Sequence, residues 1–481
     1  MDDIKTKNEK GFAKEFLAKL IGFSIPTWIS FVLSFISTPI VTRLFIPDEV
    51  GKINLFTTYL TMFNVIVLMG LDQAFVRFYN EPPSKNDKRS IMYICLIFTS
   101  LMAIFVSAVV TMLGKRLSIE ITGELNIIIP VCLIISIFAN MFLRFSSLYY
   151  RMQNNILLYS VQVIALTIIA KLVYTIVALW SPTYDNAIIA MTIGYSIVAI
   201  TFFAVQGKEL CRSKPLLDRE TISELFRFGL PLLPVTLLSW LNNSMGQLML
   251  KKYVDYSAIG VYTSAVSVAS IISLLQAGFN TYWAPFVYSS YKTQNEKIKK
   301  IHNIITGAMV GFGLIIILGQ NFIYILIGEG FRASKSFFPF LLLSPICYTI
   351  AETTGLGIGI SKKSYLNIAI FVCNVGTNLL LCVILLPRIG IQGAAIAAAF
   401  ASVVMLIIKT IIGERYYESI TSYKKTFSAI LIILIAAIVN LTLFDYVLLK
   451  YVGLLVLLIM HLIVYKIEFG NVIRYLKNIY K

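Results

Sequence analysis

The chain alternates long apolar runs with short polar ones from end to end. Fourteen runs are long enough to cross a hydrocarbon core, which takes about 20 residues of helix. They lie at 17 to 42, 53 to 72, 91 to 113, 125 to 147, 156 to 180, 186 to 206, 225 to 249, 257 to 283, 301 to 327, 337 to 360, 364 to 386, 391 to 413, 425 to 444 and 447 to 466. Lipid offers a backbone amide no partner, so each run is predicted to be a helix. The predicted fold is an all-α integral membrane protein with 14 transmembrane helices.

The runs repeat. Gly22 recurs as Gly229 at an offset of 207, Pro26 as Pro234 at 208, Gly51 as Gly260 at 209, and Pro182 as Pro387 at 205. Four landmarks in the same order at nearly one offset predict two six-helix halves, residues 1–206 and 225–413. A cytoplasmic linker at 207–224 joins them, and helices 13 and 14 with a cytoplasmic tail, 414–481, stand outside the repeat. Internal repeats of membrane helices are how transporters frame a substrate path.

With 58% hydrophobic and 14% charged residues, the 481-residue chain is not a soluble globular domain. Its net charge of +17 raises nucleic acid as a partner, and the placement of the charge argues against it, because the basic residues sit in short loops. If both termini are cytoplasmic, 30 of the 41 Lys and Arg fall on inner segments and ten on outer ones, with Lys171 inside a run. This is the positive-inside pattern, and it places both termini in the cytoplasm. The first run carries Pro26 and no small-residue cleavage site, so it reads as a retained helix and not a signal peptide.

No loop exceeds about twenty residues, which leaves no room for a soluble catalytic or nucleotide-binding domain, and neither GxxxxGK[ST] nor HExxH occurs. Six cysteines without a CxxC pair suggest neither a disulfide framework nor a metal site. No cofactor and no enzymatic activity are expected. GLGIG at Gly355 to Gly359 and GAAIAAAFA at Gly393 to Ala401 read as small-residue faces for close helix packing. His302 and His461 have no catalytic neighbour in sequence and read as loop-edge or packing residues.

Three stretches resemble a known family. NLLLCVILLPRIGIQGAAIAAAFASVV, Asn378 to Val404, is similar to a signature of bacterial polysaccharide flippases. FRFGLPLLPVTLLSWLNNSMGQLMLKKYVDYSAIGVY, Phe226 to Tyr262, resembles the start of their second half, and FIPDEVGKINLF the matching place in the first. The resemblance covers essentially the whole chain and points to the multidrug/oligosaccharidyl-lipid/polysaccharide exporter superfamily. It implies two six-helix lobes in a V around a central cavity, plus a C-terminal helix pair. The implied activity is that of a flippase of O-antigen or capsule repeat units in the bacterial plasma membrane. Such a flippase moves an undecaprenyl-pyrophosphate-linked oligosaccharide to the outer leaflet by alternating access, without covalent chemistry. Membrane lipids, glycosyltransferases and a polysaccharide polymerase are its implied partners. Drug exporters of the superfamily typically have twelve helices, so the last pair weighs against that reading. A many-span glycosyltransferase or polymerase usually carries a large extracytoplasmic loop or a soluble domain with paired carboxylates, and this chain has neither.

A pyrophosphate-sugar cargo needs cations, amides and aromatic faces, and a charge within a span is costly unless it has a partner or faces water. Lys171, near the middle of span five, either lines a cavity, snorkels, or pairs with Glu352 of span ten, itself a candidate for ion coupling. Asp72, also an ion-coupling candidate, lies with Arg77, Arg144 and Arg151 at the cytoplasmic ends of spans two and four. These arginines either receive a lipid pyrophosphate or serve as ordinary anchors. Arg43 and Lys251 are 208 apart and correspond in the two halves. Asn243 with Gln247, Gln276 with Asn280 and Trp283, and Asn374 with Asn378 share helix faces. They suit either a sugar-lined path or interhelical hydrogen bonds.

Overall fold

The computed structural model describes residues 25–470 apart from 27, 84–85, 211–216 and 364. The described residues form helices and turns, with no strand among them. The first half carries α1 (Trp28–Leu44), α2 (Pro47–Leu68), α3 (Leu71–Phe78), α4 (Lys88–Met112), α5 (Gly114–Thr122), α6 (Ile128–Met152), α7 (Ile156–Ala178) and α8 (Tyr184–Leu210). There follow α9 (Arg219–Gly229), α10 (Leu233–Tyr253), α11 (Tyr256–Ala269), α12 (Ile272–Ser290), α13 (Asn295–Leu318), α14 (Gln320–Leu326), α15 (Phe338–Thr354), α16 (Leu356–Ile360), α17 (Tyr365–Ile389), α18 (Ile391–Glu414), α19 (Tyr423–Thr442) and α20 (Val447–Val464). A 3-10 turn, Leu230–Leu232, runs α9 into α10, and a second 3-10 stretch, Glu329–Ser336, precedes α15.

Where the apolar runs begin, the chain supplies its own start signals. Asp87, Asn155, Asp218, Asp255 and Ser422 each accept from the backbone amide three residues on, at 2.7 to 3.4 Å. Each bond satisfies one of the orphan amides of a helix N-terminus. Hydroxyls inside the spans turn back on the helix: Ser34, Thr38 and Thr42 each donate to the carbonyl four residues earlier. An apolar helix thus tolerates them without an unsatisfied group in lipid.

Eleven described helices are long and apolar enough to span a membrane, the 35-residue Arg219–Tyr253 among them. The number is up to thirteen if two bent pairs count as single spans, Tyr256–Ala269 with Ile272–Asn280 (52°) and Glu329–Ser336 with Phe338–Thr354 (61°). The first expected run, 17 to 42, begins outside the described residues, and so does part of the expected linker at 207–224. The loop tally needs one correction. Lys52, Lys409 and Lys450 lie inside α2, α18 and α20 and are mostly buried: α2 begins before its expected run, and the expected runs 391 to 413 and 447 to 466 already contain the other two.

The chain forms two compact units, one of residues up to Phe45 with Glu49–Trp240, the other of Ile46–Asp48 with residues from Leu241 on. In the first unit, Leu71, Phe75 and Tyr79 pack with Ile91 and Cys95 of α4, Phe145 and Tyr149 of α6 and Leu225 of α9. The α2 helix stops at Met69 and Gly70, both left-handed. A side chain on Gly70 would run into the carbonyl of Gly229, so two backbones touch where α2 gives way to α3.

In the second unit α18 buries Gly393, Ala394, Ala395, Ala397, Ala399 and Ala401, the small-residue face expected from sequence. A Cβ on Gly357 of the GLGIG run would meet the Gly413 carbonyl, so that run too is a packing device. Helices α19 and α20 are held to α13 by polar bonds in apolar surroundings. His302 meets Thr353 at 2.7 Å and Thr426 at 2.8 Å, while His461 Nε2 reaches the Gly307 carbonyl at 2.8 Å. Both histidines are fully buried within helices, which removes the loop-edge reading.

Candidate functional site

The most apolar window of α7 is only 11% buried, the least of the described spans. At Ile169–Val173 the helix widens into a single π turn, and Lys171 sits in it. Such turns carry one residue too many for the α ladder and recur at functional sites. Gly194 of α8 makes room for it: a Cβ there would lie 2.8 Å from the side chain of Ile169. Lys171 itself is half-buried and makes no hydrogen bond or ion pair among the described residues. A span lysine without a carboxylate is costly in hydrocarbon unless an aqueous or anionic environment receives it.

The second group of the first unit is a charged node. Asp72, in the first turn of α3 and mostly buried, takes Arg144 Nε at 3.0 Å and Nη2 at 2.8 Å on Oδ2, and Gln73 donates to the same oxygen at 2.9 Å. The start of α3 adds the partial positive charge of a helix N-terminus. Arg144 is half-exposed, and α6 continues to Met152, so Arg151 lies on the same helix two turns on and is exposed. Arg77 pairs instead with Glu81, one turn along, at 2.8 Å in solvent. Arg43 closes α1 and is exposed.

In the second unit the structure bears on two sequence readings. The Glu352 carboxylate has a partner within its own unit, Lys409 of α18 at 2.7 Å. Trp283 offers no open face to a sugar: it is 2% exposed, stacked on Phe279 at 5.0 Å, and its indole N–H is spent on the Glu352 carbonyl at 3.2 Å. Gln276 and Asn280 are half-buried on α12, and Asn280 Oδ1 is buried without a hydrogen bond. On α10, Asn243 is exposed, Gln247 is half-buried, and Lys251 lies 4.1 Å over the Tyr256 ring. Asn374 donates to Asn242 at 3.0 Å, the interhelical reading of that amide. No group of acidic, histidine or cysteine side chains suited to a metal occurs among the described residues.

One signal was present in the sequence and is plain only with the pairs in view. Arg144 and Glu352 are 208 residues apart, Asp72 and Asn280 also 208, and Lys171 and Asn378 207. If the expected repeat holds, these three pairs of positions correspond and are filled by unlike side chains.

The sequence matches the family described as Polysaccharide biosynthesis protein over residues 16–290, more than half of the chain. The chain belongs to that family. Its fold is found in the lipid II flippase MurJ in an inward closed conformation, with a TM-score of 0.69 at 17% identity over 93% of this chain and 99% of that one. An inward-facing multidrug resistance MATE transporter of the MOP superfamily matches with a TM-score of 0.53 at 17% identity, over 82% of this chain and 97% of that one. A MATE P26A mutant gives 0.52 at 16% identity, over 82% and 95%. No curated protein matches the sequence. The chain is therefore a multi-pass membrane protein of the polysaccharide biosynthesis family, with the fold seen in the lipid II flippase MurJ and in MATE transporters.

Proposed function

We propose that this family member is a flippase that carries undecaprenyl-pyrophosphate-linked oligosaccharide repeat units across a bacterial plasma membrane, for capsule or O-antigen-type polysaccharide. The observation that carries the reading is Lys171, a cation on the least buried described span, in a π turn and without a carboxylate partner among the described residues. In the proposal Lys171 meets the pyrophosphate during passage. Arg144 and Arg151 on α6 receive the headgroup at the cytoplasmic side, and the amides Asn243, Gln247, Gln276 and Asn280 serve the sugars. The two six-helix halves, 1–206 and 225–413, alternate access, with both termini cytoplasmic. Glycosyltransferases supply the cargo and a polymerase consumes it. The Asp72–Arg144 and Glu352–Lys409 pairs are where a coupling proton or ion would compete with an internal cation.

The test uses surface polysaccharide in cells carrying variants, with membrane abundance checked by immunoblot. Lys171→Ala is expected to abolish export at normal abundance, and Lys171→Arg to keep part of it because the charge survives. Wild-type export from Lys171→Ala overturns the assignment.

A further inference from the structure

The first unit contains a cavity of about 460 Å3 that plays no part in the proposed passage. It lies where α3 ends, α4 begins and α6 ends, the level at which spans leave the hydrocarbon. Tyr79 and Tyr149, each less than 5% exposed and edge-to-face at 6.4 Å, close one side of it. Pro82, Lys88, Arg89 and Gln153 also line it. Lys88 reaches 4.9 Å over the Tyr79 ring and makes no ion pair among the described residues. Asp87 is the acid in the lining: its Oδ1 takes the Ser90 amide at 2.7 Å as the cap of α4, and its charge acts on Arg89, so the two cations and this carboxylate leave the lining with one net positive charge.

Two cations, an amide and tyrosine rings around a hollow of this size suit one tetrahedral anion with an apolar body attached. A phosphate needs donors and positive charge, and the walls supply both within a volume ordinary for small-ligand sites. Basic pockets between membrane helices on the cytoplasmic side hold anionic lipid headgroups. The loops at this end belong to the Lys- and Arg-rich set of segments, so the surrounding leaflet is the anionic one.

We propose that the cavity bounded by Tyr79, Lys88, Arg89, Tyr149 and Gln153 is a binding site for a phosphate group at the membrane surface, carried by an anionic phospholipid headgroup. The proposal does not rest on the cargo or on Lys171. The alternative source of the same chemistry is free phosphate.

The full-length protein in detergent is mixed with phosphatidylglycerol or phosphatidylcholine, and bound lipid is counted by native mass spectrometry. A second arm adds millimolar inorganic phosphate. Phosphatidylglycerol is expected to stay bound and phosphatidylcholine not. The double variant Lys88→Gln/Arg89→Gln should bind phosphatidylglycerol about thirtyfold more weakly, from about fivefold per lost surface charge. The double variant Lys88→Arg/Arg89→Lys should stay near wild type, and Gln153→Trp, which keeps every charge and fills the mouth, should also lose the lipid. Displacement by phosphate assigns the affinity to the anion alone, and resistance to it assigns a share to the acyl chains. Equal retention of phosphatidylglycerol by wild type, the Gln double variant and Gln153→Trp, each with an unchanged melting temperature, overturns the site, as does equal binding of phosphatidylcholine.

Discussion

Arg144 gives two N–H groups to a single oxygen of Asp72, Nε at 3.0 Å and Nη2 at 2.8 Å, and the two partners differ in their access to water. The Asp72 side chain is 10% exposed and that of Arg144 45%. Removing the arginine strands a buried carboxylate, whereas removing the aspartate leaves a cation that reaches solvent. Arg144→Gln is therefore expected to destabilise by about 2 kcal/mol and Asp72→Asn by about 1 kcal/mol or less, with exposure discounting both. Thermal unfolding in detergent measures the order, and an Asp72 variant that loses more than the Arg144 variant contradicts it.

Lys409 is the less exposed member of its pair, at 14% against 34% for Glu352. Glu352→Ala should therefore cost more stability than Lys409→Ala, and the double variant less than the two single losses added together. A double-mutant cycle in melting temperature that closes to zero would mean that the two groups do not interact in the folded protein.

Gly70 and Gly229 touch backbone to backbone, and Gly70 has φ +73°. Gly70→Ala should lose more than about 2 kcal/mol from overlap and backbone strain together. Gly376, where an added Cβ would meet nothing within 4 Å, is the control. Gly376→Ala lies in the middle of α17 and should be neutral or stabilising by up to about 1 kcal/mol. Comparable melting temperatures for the two variants would contradict the close approach.

Asp87 caps α4, and its bond to Ser90 holds the carboxyl below the ordinary aspartate range. A depressed folded value contributes stability that is present above the unfolded value of about 3.9 and is lost as pH falls through the folded one. Asp87→Ala should cost about 1 kcal/mol at neutral pH. Melting curves taken from neutral pH downward should bring wild type and variant together below the carboxylate range, and a gap that stays constant would assign the loss to something other than the charge.

His302 ties α13 to α15 through Thr353 and to α19 through Thr426, all three groups with no exposed surface or nearly none. His302→Ala removes two buried hydrogen bonds, while Thr353 keeps its bond to the Ile350 carbonyl at 2.6 Å and Thr426 a longer one to Ser422 at 3.4 Å, and should cost about 1–3 kcal/mol. Limited proteolysis is expected to cut the α19–α20 segment faster in the variant than in wild type.

The apolar runs are legible in the sequence because the bilayer imposes length and composition on any segment that crosses it. The breaks are not, since an apolar run continues unchanged through Met69–Gly70 and through the bend after Ala269. The small-residue faces of α18 and the GLGIG run follow from residue size alone, which is what close backbone approach selects. Charge pairing stays hidden because Asp72 and Arg144 are 72 residues apart, and Glu352 and Lys409 57. Nothing local links such partners, and sequence alone does not single out Lys409 for Glu352. Trp283 misleads for a related reason: its helix face is visible in sequence, but the Phe279 ring and Glu352 carbonyl that occupy it are not.

The π turn of α7 makes that helix two cylinders set out of phase. An α-helix advances about 100° per residue, so one surplus residue at Ile169–Val173 decouples the azimuth of Ile156–Ile168 from that of Tyr174–Ala178. The two stretches can each present a face chosen for its own depth in the bilayer. Lys171 stands at the seam, where a one-residue deletion would close the ladder and swing the flanking stretches back into a common phase.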